Sequence, residues 1–244
     1  MKESKEYTEG IAINENKFVL WLDNYWYHHK WVTIVVAFFL IIAIICIAQS
    51  CSKVPSDVKL TYAGPAYLSG DKKLAIESAV SGEMPDGFSK NGKAEIDLLS
   101  YYILSKEQIE DIQKETDSEG RPKEYVDTYF ITSEQETFES QLMTGSSSVL
   151  LLDPSIFDSL GGNASSERLR PLNEIFDNVP DKNVNGFGIR LGDTEAYRSN
   201  HELQVLPADT ILCLHEKLLS QKQSVYDKDV EAFKALATLA DDGE

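Results

Sequence analysis

Residues 141–160 read QLMTGSSSVLLLDPSIFDSL, and the fold turns on how this stretch is divided. SVLLLDP is a short, unbroken apolar run, the pattern of a strand covered on both faces. Pro154 ends it, and Ser155 is placed to cap a following helix, SIFDSL. Upstream, SEQETFESQLMTG reads as a helix with Ser133 as N-cap, Glu136 three residues on and Gly145 just past its end. Gly145 to Ser148 therefore join the end of a helix to the start of a strand. In a wrapped parallel sheet, ligands sit outside the carboxyl ends of the strands, so this bend lies at the opposite edge and reads as a structural turn. A serine nucleophile or phosphate cradle needs a strand, then glycine, then helix, or a G-x-S-x-G elbow, and neither occurs here.

Working outward, VKLTYAGP (58–65) alternates and then meets Gly-Pro, which predicts a strand ended by a turn. DKKLAIESAVS (71–81) carries Leu74, Ala75, Ser78 and Ala79 on one helical face. AEIDLLSYYIL (94–104) reads as a second strand, and the acidic span 105–124 as helix then loop, punctuated by Gly120 and Pro122. YVDTYFIT (125–132) reads as a strand or strand-like lead, LPADTILCLHEK (206–217) as a strand and VYDKDVEAFKALATLA (225–240) as a helix. Strands alternating with helices predict an α/β domain: a three-layer, mostly parallel sheet flanked by helices, with right-handed crossovers.

That geometry selects AGPAYL (63–68) and DPS (153–155) as candidate ligand contacts. Gly64 allows close backbone approach, Pro65 turns the chain, Tyr67 offers a ring for stacking, and Asp153 with the Ser155 hydroxyl fixes a polar group. Turn and cap chemistry accounts for the same residues equally well.

WVTIVVAFFLIIAIICIA (31–48) lies in a stretch with no charged residue from Trp31 to Ser52. At about 1.5 Å per residue, roughly 20 such residues cross a hydrocarbon layer. Tyr25, Trp26, Tyr27 and Trp31 form an aromatic belt at one flank. The reading is a single-pass signal anchor in the cell membrane: residues 1–30 cytoplasmic or interfacial, 31–51 transmembrane, 52–57 a linker, and 58–244 an external domain. FVLWLDNYWYHH (18–29) has two readings, an interfacial amphipathic helix or a continuation of the membrane helix. IAQSC resembles a lipoprotein site ending at Cys51, with Ala48 and Gln49 departing from that pattern.

Residues 1–60 hold six Lys and six Asp/Glu, so the whole net charge of −17 lies beyond residue 60. Such a surface repels nucleic acid. Cys46, Cys51 and Cys213 form no CxxC motif, and His28, His29, His201 and His215 show no zinc spacing, so neither metal nor cofactor is expected. ETDSEG (115–120) imitates the start of a calcium loop, but Val126 stands where the terminal glutamate belongs. NAS (163–165) fits a glycosylation sequon. GDTEAY (192–197) makes Asp193 and Thr194 further candidate contacts. No nucleophile–base constellation is visible, and no catalytic residue is assigned.

FESQLMTGSSSVLLLDPSIFDSLGG, followed by LRPLNEIF (169–176) with Arg170, Pro171 and Leu172, and then FGIRLG (187–192), resembles the extracellular solute-binding proteins with the type II periplasmic-binding fold. The resemblance covers roughly residues 57–216. It implies one lobe of a fold that ordinarily has two with the solute between them, and it puts Asp193 and Thr194 at the crossover. With one lobe's worth of chain, a closing cleft within one molecule is not expected. The leading expectation is a non-enzymatic, membrane-anchored binding or scaffold module, whose partner is a transporter component, another lobe-bearing subunit or a second copy. The alternative is a small-solute receptor associated with a transporter, holding its ligand at residues 63–68 and 153–155.

Overall fold

The computed structural model describes residues 17–51, 56–90, 92–117, 123, 125–145, 147–161 and 168–240. The sequon at 163–165, residues 118–120 of the acidic loop, Ser146, most of the linker and the Cys51 side chain lie outside the described residues. The chain forms two compact units, Met1–Val54 and Pro55–Glu244.

The first unit contains helix α1 (Lys17–Cys51). Residues Asn24–Ile47 are long and apolar enough to cross a membrane, and none of that span is buried. Phe39, Leu40 and Ile44 are each about three-fifths exposed, on a helix that is apolar on every face. This is consistent with a membrane anchor or a signal sequence. FVLWLDNYWYHH continues the same helix rather than forming a separate one. Trp21 stacks on Tyr25 at 5.6 Å, and Tyr25 meets His29 at 5.1 Å, one helical turn apart each time.

The second unit is α/β, in the order β1 (Val58–Gly64), α2 (Gly70–Glu83), β2 (Ile96–Tyr102), α3 (Lys106–Lys114), α4 (Thr128–Thr144), β3 (Val149–Leu152) and α5 (Pro154–Ser159). There follow β4 (Asn183–Val184), β5 (Gly188–Arg190), α6 (Glu195–Ser199), β6 (Ile211–Leu214) and α7 (Gln223–Leu236). The six strands make one sheet in the order β2-β1-β3-β6-β5-β4.

The expectation of a mostly parallel sheet is corrected here: the sheet is mixed. β1 runs parallel to β2 and β3, whereas β6 is antiparallel to β3 and β5, and β4 to β5. The reason lies in the connection. Residues 191–210 leave β5 at Arg190 and return at Ile211, which pairs with Arg190, so no helix carries the chain across the sheet. Two short 3-10 turns and α6 fill that connection.

Two cores form because both sheet faces are covered. Leu60, Tyr62, Leu151 and Leu212 pack with Ile76 and Val80 of α2 and Phe233 and Leu236 of α7. The alternate residues Ala63, Leu150, Leu152 and Cys213 pack with Phe138 and Leu142 of α4 and Phe157 of α5. Successive strand residues point to opposite faces, so the all-apolar β3 feeds both cores at once.

Two local expectations give way to longer-range packing. Residues 128–132 are helical, not extended, and Ser133 caps nothing. The Asp127 carboxylate accepts the Phe130 N–H at 3.0 Å and starts α4 earlier. Ile131, Phe138 and Leu142 then supply one buried face, and this outweighs the strand-like composition of DTYFIT. In α5 the N-cap is Asp153 rather than Ser155, with Pro154 at the first helical position. Gly145 ends α4 at φ 64°, the left-handed conformation expected of a glycine stop.

Candidate binding edge

β1, β2 and β3 end side by side, with Gly64 opposite Tyr102 and Ala63 opposite Leu152. Three connections leave this carboxyl edge, and Asp153 holds two of them together. Its N–H donates to Ala63 O at 2.8 Å. One carboxylate oxygen accepts the Ser155 N–H and hydroxyl at 2.9 and 2.5 Å, and the other accepts the Gln108 amide at 3.0 Å. Gln108 is itself in a capping box: its side-chain oxygen accepts the Ser105 N–H at 2.7 Å, while the Ser105 hydroxyl accepts the Gln108 N–H at 3.2 Å. Asp153 thus joins the N-termini of α3 and α5.

Beside this junction, between the end of β2, α4 and α5, lies a cavity of about 560 Å³. Ile103, Leu104, Phe138, Ile156 and Leu160 give it apolar walls. Ser105, Gln135, Ser155, Lys106, Arg168 and Glu139 add hydroxyl, amide and charged groups at the same walls. Apolar walls with a few polar groups are what a small-ligand site requires.

Of the residues selected from sequence, Ser155 lines this cavity, and Asp153 lies behind it as the structural junction. Gly64 serves its own strand: a Cβ there would stand 2.7 Å from the Tyr62 hydroxyl, which accepts the Ala66 N–H at 2.9 Å. Pro65 is half-buried in the turn that follows. Tyr67 is 66% exposed and meets Tyr102 edge-on at 6.2 Å. Asp193 and Thr194 follow β5 at the same edge, outside the cavity. Thr194 is fully buried; its hydroxyl donates to Leu191 O at 2.8 Å and accepts the Tyr197 N–H at 3.3 Å, capping α6. The Asp193 carbonyl accepts the Ala240 N–H at 3.0 Å.

The cavity residues absent from the sequence reading are Ser105, Lys106, Gln135, Phe138, Glu139 and Arg168. A signal for the first two was available. The rule that selected the segments after β1 and β3 applies equally to the segment after β2, where Ser105 and Gln108 spell a capping box. Arg168 had no such signal, since it reaches the cavity from a connection without periodicity.

Asp153→Ala is expected to cost about 2 kcal/mol in urea unfolding, combining a lost cap with unpaired donors on Gln108 and Ser155. Asp153→Asn, which keeps an acceptor, should cost less.

The opposite edge is arranged differently. Ser147 donates its hydroxyl to Lys59 O at 2.7 Å. Ser148, buried, hydrogen-bonds Asp229 of α7, and the Gln221 amide donates to both, at 2.8 Å to the Ser148 oxygen and 2.9 Å to the carboxylate. These serines are tied into the framework, as a structural turn demands. Burial raises the Asp229 carboxyl to about 6, against the opposing pull of its two hydrogen bonds. Folded Asp229 therefore holds its proton at a pH where the unfolded chain has lost it. Stability should fall as pH rises from about 4 to about 6, with the full penalty standing above that range. Burial lowers His215, which acts in the opposite sense, so the variant comparison isolates the carboxyl. Asp229→Asn should be more stable than wild type by about 2 kcal/mol at pH 8, the gap closing near pH 4, as read from paired unfolding curves.

Among the described residues no three His, Cys, Asp or Glu side chains gather as metal ligands. No family model, no curated protein and no solved structure matches the chain.

Proposed function

We propose that this protein is a single-pass, membrane-anchored, non-enzymatic binding module that presents its α/β domain outside the cytoplasm and works through the carboxyl edge of its sheet. The observation that carries the reading is the 560 Å³ cavity beside the Asp153 junction. Its apolar walls suit the body of a small solute, while Ser155, Gln135 and the Lys106 and Arg168 cations suit a polar or anionic group on that solute. Thermal denaturation of the full chain in detergent, scanned against sugars, amino acids, peptides and oxyanions, tests it, because a ligand of the native state raises apparent stability. A class that shifts the transition supports the reading; a flat response across all four counts against it.

A second reading, a scaffold for a protein partner such as a transporter component or a second copy, rests on a separate observation. Tyr125 and Tyr129 are 89% and 85% exposed at the start of α4, with Phe130 41% exposed beside them. Tyrosine in such clusters is enriched in protein interfaces. Cross-linking from native membranes should recover a partner with the wild type and lose it with Tyr125→Ser and Tyr129→Ser combined. Background recovery with both would exclude the scaffold.

A further inference from the structure

Arg168 lines two hollows. Besides the cavity at the carboxyl edge, it walls a hollow of about 350 Å³ with Leu142, Met143, His215 and Leu218. α4 runs past both. Gln135, Phe138 and Glu139 line the cavity, and Leu142 and Met143 line the second hollow, positions i, i+3, i+4, i+7 and i+8 of one helical stripe. Eight residues of helix rise about 12 Å. The stripe and the shared arginine make the two hollows one groove of about that length beside α4.

The second hollow contains an acceptor that the fold does not use. His215 is 6% exposed. Leu169 bridges antiparallel to His215, and the Glu216 N–H donates to Arg168 O at 2.6 Å, so this pairing sets the imidazole beside Arg168. The ring Nδ1 lies 2.6 Å from Glu216 O, which can only accept, so Nδ1 carries the proton and Nε2 keeps its lone pair. Burial lowers the His215 pKa against the opposing pull of Glu216, and the Arg168 charge adds to the lowering, so the ring is held neutral. Among the described residues nothing donates to Nε2.

The charges of the groove have both signs: Lys106, Arg168 and Glu139 at the cavity, Glu216 and Lys217 at the second hollow. Asp153, behind the cavity wall, is already held by Gln108 and Ser155. An alkyl tail laid along this groove would strip water from those groups and return no partner. An extended peptide returns N–H and C=O groups at every residue and places apolar side chains at both ends.

We infer that the groove holds a short extended peptide with a free carboxyl terminus: its carboxylate at Lys106, a backbone carbonyl at Arg168, an N–H on His215 Nε2, and one apolar side chain in each hollow. At about 3.3 Å per residue, 12 Å is about four residues. This rests on the cavity being the ligand site and names what fills it.

The test is titration calorimetry of the full chain in detergent with peptides of the form Leu-Gly-Gly-Leu, carrying zero to four central glycines. Binding should be tightest with two, at least about tenfold tighter than with none, because only then does each hollow bury a leucine side chain. Met143→Trp, at a position 74% exposed, fills the second hollow. It should reduce the tetrapeptide to the affinity of Leu-Leu while leaving Leu-Leu itself unchanged, which shows that the fold persists. His215→Phe keeps the ring and removes the acceptor, and should weaken the tetrapeptide about tenfold. An affinity independent of length, or untouched by Met143→Trp, confines the ligand to the cavity and overturns the peptide groove while leaving the cavity reading in place. No peptide binding, with a sugar or oxyanion that shifts the thermal transition, does the same. A flat thermal scan together with a flat peptide series removes both.

Discussion

Leu40→Arg combined with Ile44→Arg should move the protein from the carbonate-resistant membrane pellet to the supernatant. Both side chains are solvent-exposed on α1, 58% and 62%, in a helix with no buried side within its apolar span. An arginine at the centre of a spanning helix costs about 3 kcal/mol on insertion scales, so two cost about 6 kcal/mol, or roughly 10⁴-fold in the insertion equilibrium. A soluble core helix would respond differently, since its loss would unfold the domain. Here the second unit has its own two cores and should retain its unfolding transition. Retention of the double variant in the pellet would remove the anchor from the account.

Phe157→Ala should destabilise the domain by about 4 kcal/mol in chemical unfolding. Phe157 is fully buried and packs with Leu150, Leu152, Leu169 and Ile211 on the α4 side of the sheet. It also closes the space over Gly188, where an added Cβ would meet the Ile211 side chain and stand 3.2 Å from the Phe157 ring. The residue belongs to the same short helix as Ser155 and Ile156, so a cavity left behind it loosens the wall of the binding cavity as well. Phe157→Leu, which fills most of the volume, should recover more than half of the loss. A cost below about 1 kcal/mol for the alanine variant would mean that α5 is not part of the folded core.

The strands that carry both arguments were readable in proportion to how local their signals are. VLLL announces a strand buried on both faces, and Gly145 announces the end of the preceding helix, because apolar composition and left-handed glycine act on neighbouring residues. The bend followed from those two, and Gly145, Ser147 and Ser148 stand at the amino edge, with the two serines bonded into the framework. ILCL in β6 is as apolar as VLLL, yet nothing within it encodes direction. That came from the 191–210 connection folding back to Arg190, a tertiary outcome. The early start of α4 was hidden for the related reason that Ile131, Phe138 and Leu142 share a face only once the helix exists.

The candidate site was legible as an edge and less so as a set of residues. Ser155 was placed at the cavity by the rule for carboxyl ends. The missing side chain at Gly64 leaves room for the Tyr62 hydroxyl, and Thr194 became a cap. Small and hydroxyl-bearing residues serve turns, caps and contacts with the same chemistry, and the choice among these depends on neighbours that arrive from elsewhere in the chain. Phe138 and Glu139 show the converse: they sit within an ordinary amphipathic helix and reach the cavity because α4 packs beside β2.

The claim on which the functional account depends is that the carboxyl edge, and not the amino edge, holds the ligand. Two tryptophans separate the possibilities. Ser155→Trp fills the cavity between α4 and α5, whereas Val225→Trp fills the hollow by Gly145 and Gln221. With the ligand class that stabilises the wild-type chain, the thermal shift should vanish in Ser155→Trp and persist in Val225→Trp. A shift that survives the first substitution and disappears with the second would place the ligand at the opposite edge and contradict the account.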